Sequence, residues 1–226
     1  NKANEVINSL AALVGDINTN SGLLAAQALV LQARGRDDFA QQQITKAFDI
    51  AVNNDSELIN WANNLSRYFE ERPASEHVGY LDILMRRTSD PEVGLWLEYF
   101  IAQRLVREDP RPQRADDILA RLKSSSIPDP IAIRVYRLHG TTLFAADQYE
   151  QAAAIWSEGL DRFSDDWEMN NNLAYVLSSR LDRAQEALAF GEKAIAKNIG
   201  LSEPYETMAG IYIALGKYDE AQQMID

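Results

Sequence analysis

The chain has 226 residues, of which 46% are hydrophobic and 25% charged, enough to bury a large core when built as one array. Its formal charge of −12 argues against a nucleic-acid partner, because such binding rewards cations brought to phosphates. No cysteine is present, which excludes disulfides and thiolate chemistry without selecting a compartment, and no run approaches the roughly 18 apolar residues that a membrane-inserted span needs.

Val6, Ile7, Leu10, Leu13, Val14 and Ile17 share one face of an amphipathic helix, so residues 1 to about 20 are predicted to form a partial unit. Over 21–54, the spacing of Leu24, Gln27, Ala28, Leu31, Ala40 and Ile44 predicts two packed helices, with Gly35 at the turn between them and Ala47 one helical turn on. Residues 55–90 begin alike with Leu58, Trp61, Ala62 and Leu65. Their linking stretch from Glu70 to Ser75 is longer and holds Pro73 before Gly79 and Ile83, which predicts a pair with an extended loop. From 91 to 130 the pattern is degenerate: an apolar helix around Val93 to Val106, a loop with Pro110 and Pro112, then Ala115 to Lys123. Pro128 and Pro130 punctuate the chain next, since a residue before proline is pushed out of the helical region.

Beyond them the spacing sharpens. Tyr136, His139, Gly140, Leu143, Ala152 and Trp156, within 131–166, recur as Tyr205, Met208, Ala209, Tyr212, Ala221 and Ile225, within 202–226. The intervening unit, 167–201, carries Asn170, Leu173, Ala174, Leu177 and Ala187, with Asn170 in place of the large aromatic and one extra residue around Ser179 to Asp182. Ala152, Ala187 and Ala221 stand 35 and 34 residues apart (187 − 152 and 221 − 187). A large residue, a Leu-like and a small one, an aromatic, then Ala and a bulky residue four on, at a period of about 34, resembles the tetratricopeptide repeat in its irregular, bacterial-type form. The resemblance runs best over 133–226, extends to 21–54 and is thin over 55–130.

It implies an all-α, right-handed superhelical solenoid of antiparallel helix pairs, about five pairs plus partial units at both ends, forming one domain over 1–226. Size is specified where chemistry is not: small residues let backbones approach, and large ones fill the space between pairs. The chain lacks an initiator Met and stops at Asp226 inside a second helix, so a piece of a longer protein is expected.

Catalytic constellations find no support. His139 occupies a slot for a packed apolar residue and is expected in the core, whereas His77, after Pro73 near a helix start, is expected at the surface. Neither has ligands at metal-binding spacing, and no metal or other cofactor is expected. The carboxylate pairs Asp37/Asp38, Asp116/Asp117 and Asp165/Asp166 fall at helix starts or turns, where acids complement the helix dipole. Gly210 to Tyr218 is no phosphate loop, because five residues rather than four separate Gly210 from Gly216, and Tyr218 follows Lys217 where Ser or Thr is needed.

In the family this chain resembles, the first helix of each pair lines a concave groove. The resemblance therefore implies groove candidates at Asn60, Asn63, Asn64 and Arg67, then Arg134, Arg137 and Thr141, then Asn171, Asn172 and Tyr175, then Glu206 and Gly210. Asparagine offers donors and an acceptor to an extended peptide backbone, Tyr175 adds flat apolar area with a polar tip, and Arg134 and Arg137 suit a carboxylate or phosphate if no neighbour neutralises them. Lys46, Lys123, Lys193 and Lys197 fall on second helices and Lys217 in a turn, which argues against the family's lysine-based clamp for an acidic C-terminus.

The expected function is a non-catalytic protein-interaction scaffold for a peptide or segment of another protein, neutral to basic. The alternatives are homo-oligomeric assembly through open repeat ends, with Ile7, Leu10, Tyr212 and Met224 exposed, or a regulatory arm of an enzyme whose catalytic domain lies elsewhere.

Overall fold

A computed structural model describes residues 20–51, 69, 72–108, 113–197 and 200–225. Among the described residues there are eleven helices and no strand: α1 (Ser21–Gln32), α2 (Asp37–Ala51), α3 (Ala74–Arg87), α4 (Pro91–Glu108), α5 (Gln113–Ser124), α6 (Asp129–Ala145), α7 (Tyr149–Arg162), α8 (Trp167–Ser179), α9 (Ala184–Lys197), α10 (Glu203–Ala214) and α11 (Tyr218–Gln223). The chain divides into two compact units, Asn1–Glu108 and Asp109–Asp226.

In the first unit α1 packs on α2, and α3 on α4. The side chain of Asn20 caps α1 by accepting from the Leu23 amide at 2.9 Å, and Asp37 and Asp38 occupy the first turn of α2, where their charge meets the helix dipole. Leu24, Ala28, Ala40, Ile44 and Ala47, all slots of the repeat pattern, are fully buried. The helix-forming slots Leu58, Trp61, Ala62 and Leu65 lie outside the described residues, as does the partial unit at 1–19.

The stretched connection ahead of α3 is held from α4. Arg104, 5% exposed, donates through Nη2 to the Phe69 carbonyl at 3.3 Å, to the Arg72 carbonyl and to Glu108 at 3.2 Å, and Glu108 in turn accepts from the Ala74 amide. His77 departs from its expected surface position. It is 2% exposed, with its ring stacked on Phe69 at a centroid distance of 4.8 Å. The start of an amphipathic helix faces the core as well as solvent, and Phe69 sets which way His77 points.

In the second unit α6–α7, α8–α9 and α10–α11 are successive pairs, with α5 against α6 and α8 touching both α7 and α10. The helices α4 and α5, read from the sequence as one degenerate unit at 91–130, belong to different compact units. Small residues sit where the pattern puts them. A Cβ on Gly140 would lie 2.2 Å from the Trp156 indole nitrogen, and one on Gly159 would lie 2.6 Å from the Met169 sulfur. Gly191 stands where the previous repeat has Trp156, and Met208 and Ile211 of α10 close on it instead. Asn170, fully buried in the slot of an aromatic, is anchored by donating to the Ser164 and Asp166 carbonyls at 3.0 and 2.8 Å. Its N–H groups are thus bonded, while its Oδ1 is buried without a hydrogen-bond partner among the described residues.

The turn inside each of four pairs holds one left-handed residue two positions before the second helix: Gly35, Asp147, Asp182 and Gly216, with φ of 67°, 58°, 54° and 73°. Glycine and, less comfortably, aspartate reach that region, so the extra residue before Asp182 is absorbed without changing the turn.

Candidate functional site

The first helices α6, α8 and α10 lie in sequence along one face of the second unit, and two adjoining cavities open between them. A cavity of about 440 Å³ is lined by Thr141 and Phe144 of α6, Trp156 of α7, Trp167, Glu168, Asn171, Asn172 and Tyr175 of α8, and Glu203 of α10. A neighbouring one of about 380 Å³ shares Tyr175 and Glu203 and adds Ser178, Ser179, Glu206, Thr207, Gly210, Ile213 and Ala214. Helical periodicity explains the membership: Glu168, Asn171 and Tyr175 are three or four residues apart on α8, as are Glu203, Glu206 and Gly210 on α10.

Of the residues expected in a groove, Thr141, Asn171, Asn172, Tyr175, Glu206 and Gly210 are brought together here. Asn60, Asn63, Asn64 and Arg67 lie outside the described residues. Arg134 is exposed on α6 and lines neither cavity. Arg137 also lines neither, and a neighbour does neutralise it: its Nε donates to Asp166 at 3.2 Å, its Nη2 donates to the other oxygen of that carboxylate, and its Nη1 lies 2.8 Å from Glu168. Asp166 simultaneously caps α8 by accepting from the Met169 amide at 2.9 Å, so Arg137 ties α6 to the start of the next pair. Phe144, Trp156, Trp167, Glu168 and Glu203 are additions to the sequence-derived set. They sit one helical turn from those candidates on the first helices, or on the second helix behind them.

Tyr175 is 40% exposed, with its ring edge-on to Phe144 at 5.9 Å. The Oδ1 of Asn171 is buried and has no hydrogen-bond partner among the described residues. Glu203 and Glu206 make no ion pair among the described residues, while two of the unit's four lysines are paired elsewhere: Lys123 with Glu158 at 2.6 Å and Lys197 with Asp165 at 2.8 Å. The face is therefore aromatic, amide-rich and negative.

The histidines sit apart from it. Burial, then the charge of Lys123, lowers the His139 pKa against an opposing Glu158, and burial, then Arg104 and Arg107, lowers that of His77 to about 4. Among the described residues, no group of His, Asp and Glu is arranged to hold a metal ion, and no helix is long and apolar enough to cross a membrane.

Paired antiparallel helices at a near-constant period, with small residues at the crossings, define an all-α helical-repeat protein of tetratricopeptide-like fold. No family model and no curated protein matches the chain. Solved structures do. MamA AMB-1 superposes with a TM-score of 0.55 at 17% identity, over 78% of this chain and 89% of that one. MamA from Desulfovibrio magneticus RS-1 gives 0.57 at 16% identity, over 74% and 90%. YrrB, described as a TPR protein with an unusual peptide-binding site, gives 0.55 at 18% identity, over 80% and 88%. What these likenesses establish is the fold.

Proposed function

We propose that this chain is a protein-interaction scaffold that receives an extended, neutral to basic segment of a partner protein along the face of α6, α8 and α10 and does no chemistry itself. The observation that carries the reading is the pair of adjoining cavities joined at Tyr175, running across successive first helices. Asn171 and Asn172 supply amide groups for a peptide backbone, Tyr175 a surface to stack on, and Glu203 and Glu206 a field that favours positive charge. YrrB, similar in fold, is itself described as having a peptide-binding site.

The test is an affinity capture from lysate of the source cells, read by mass spectrometry, with the chain set beside a folded Asn172→Glu, Tyr175→Ala variant. Arg137 is left unaltered because it holds two helices together. Partners retained by the unaltered chain alone support the reading; the same partners on both remove it.

A second reading, self-association, draws on a different surface. Ile213, Tyr218 and Ile225 are 52%, 69% and 67% exposed, whereas Tyr212 and Met224, the residues expected to be open, are half-buried against the core. Light scattering on the chain and on a Tyr218→Ser, Ile225→Ser variant decides it, since a monomer at all concentrations excludes assembly through these residues.

A further inference from the structure

Resting on the groove reading above, we propose that the larger cavity is an arginine pocket: it takes the guanidinium of one arginine side chain in the bound segment, stacked on the Tyr175 and Phe144 rings and hydrogen-bonded to Glu203.

Two separate features converge on that occupant. The walls are aromatic, with Phe144, Trp167 and Tyr175 around one cavity and the Phe144 and Tyr175 rings 5.9 Å apart at 60°. A ring face attracts a cation, and a planar, weakly hydrated guanidinium stacks on it better than a compact ammonium does. The acidic rim is only half committed. Glu168 already carries Arg137 at 2.8 Å, while Glu203, shared by both cavities, makes no ion pair among the described residues, and no lysine or arginine lines either cavity. An anionic ligand would meet the Glu203 carboxylate, with no cation lining the cavity to offset it. Guanidinium brings five N–H groups and no acceptor, which fits a wall offering the Glu203 carboxylate.

The probe is a random-peptide display library selected on the purified chain, followed by fluorescence polarisation of enriched peptides resynthesised with arginine replaced by citrulline, its neutral isostere, or by lysine. The expected result is an arginine at a fixed place in the enriched set, with a roughly ten-fold or greater loss for citrulline and a smaller loss for lysine. Glu203→Gln should lose about as much as the citrulline peptide does, and the two together little more than either alone, whereas Glu206→Gln in the adjoining cavity should leave the citrulline penalty intact. Peptides that lose affinity on Tyr175→Ala but bind equally with citrulline, or equally to Glu203→Gln, would overturn the arginine pocket and leave the groove standing. Peptides indifferent to Tyr175→Ala and Asn172→Glu alike, or no enrichment at all, would overturn both. Circular dichroism confirms that each variant is folded before its binding is read.

Discussion

Arg137 of α6 and Asp166 at the start of α8 meet through two parallel hydrogen bonds across 29 residues of sequence, and the same carboxylate caps the helix that follows it. The Asp166 side chain is 3% exposed and that of Arg137 30%. A bidentate guanidinium–carboxylate pair of this kind fixes the angle between successive repeats as well as contributing energy. Arg137→Ala leaves a buried carboxylate with its backbone bond alone and is expected to cost about 2 kcal/mol in urea unfolding, less than the full penalty for a wholly buried pair because Arg137 keeps contact with water. Asp166→Ala should cost more, since it removes the cap, worth about 1 kcal/mol, along with the ion pair. Equal costs for the two would show that the cap contributes nothing.

Gly140 and Trp156 set the spacing within the α6–α7 pair. An alanine in place of glycine inside a helix ordinarily gains about 1 kcal/mol, but here its Cβ would sit 2.2 to 2.6 Å from three atoms of an indole that is 2% exposed. A rigid, buried ring cannot yield as a flexible side chain does, so overpacking, at about 1–3 kcal/mol, wins. Gly140→Ala should destabilise the protein, and the loss should shrink when Trp156→Phe is present. Gly94→Ala in α4, where nothing lies within 4 Å of the added methyl, should be neutral or stabilising by the same unfolding measurement.

The helix pairs were legible because they are written in size, and a residue such as Gly140 or Ala152 can be read without its partner. The turns were half legible: Gly35 and Gly216 announce a left-handed position, whereas Asp147 and Asp182 fill the same role with a residue common in any loop. Where periodicity alone decides, as with Asn171, Asn172 and Tyr175, residues of a first helix can be placed on one cavity. Arg137 suits a ligand only if no neighbour neutralises it, and the neighbour that does, Asp166, lies at the start of the next pair; His77 reads as exposed because the ring that covers it, Phe69, precedes an irregular loop. Glu203 stands one turn before Glu206 on α10 and shares its face by the same periodicity.

Arg104 shows how an irregular unit is held without the repeat pattern. Its guanidinium serves two carbonyls of the loop before α3 and the Glu108 carboxylate, which itself accepts from the Ala74 amide. Arg104→Met keeps apolar bulk but strands those acceptors, with an expected loss of about 2–3 kcal/mol, moderated by the half-exposure of Glu108. Hydrogen exchange at the Ala74 amide should accelerate in the variant by more than exchange at α1. Uniform acceleration across the unit would mean that Arg104 supports the core as a whole and not the loop.

His77 gives the first unit a pH dependence whose sign can be worked out. Burial, and then the positive charges of Arg104 and Arg107, lower its pKa from 6.5 to about 4, and neither ring nitrogen has a hydrogen-bond partner among the described residues. The unfolded chain binds a proton near pH 6.5, while the folded chain refuses it until about pH 4. The stability that comes from keeping this ring neutral is therefore complete above the unfolded value and is lost as the pH falls from there towards the folded one, by about 2 kcal/mol at pH 5 relative to pH 7. His77→Phe keeps the stack on Phe69 and removes the titration. Native-state hydrogen exchange at Leu81 and Leu84, both fully buried on α3, should show protection falling between pH 7 and pH 5 in the unaltered protein, after correction for intrinsic exchange, and falling less in the variant. Identical slopes for the two proteins would place the imidazole in contact with water and refute its burial.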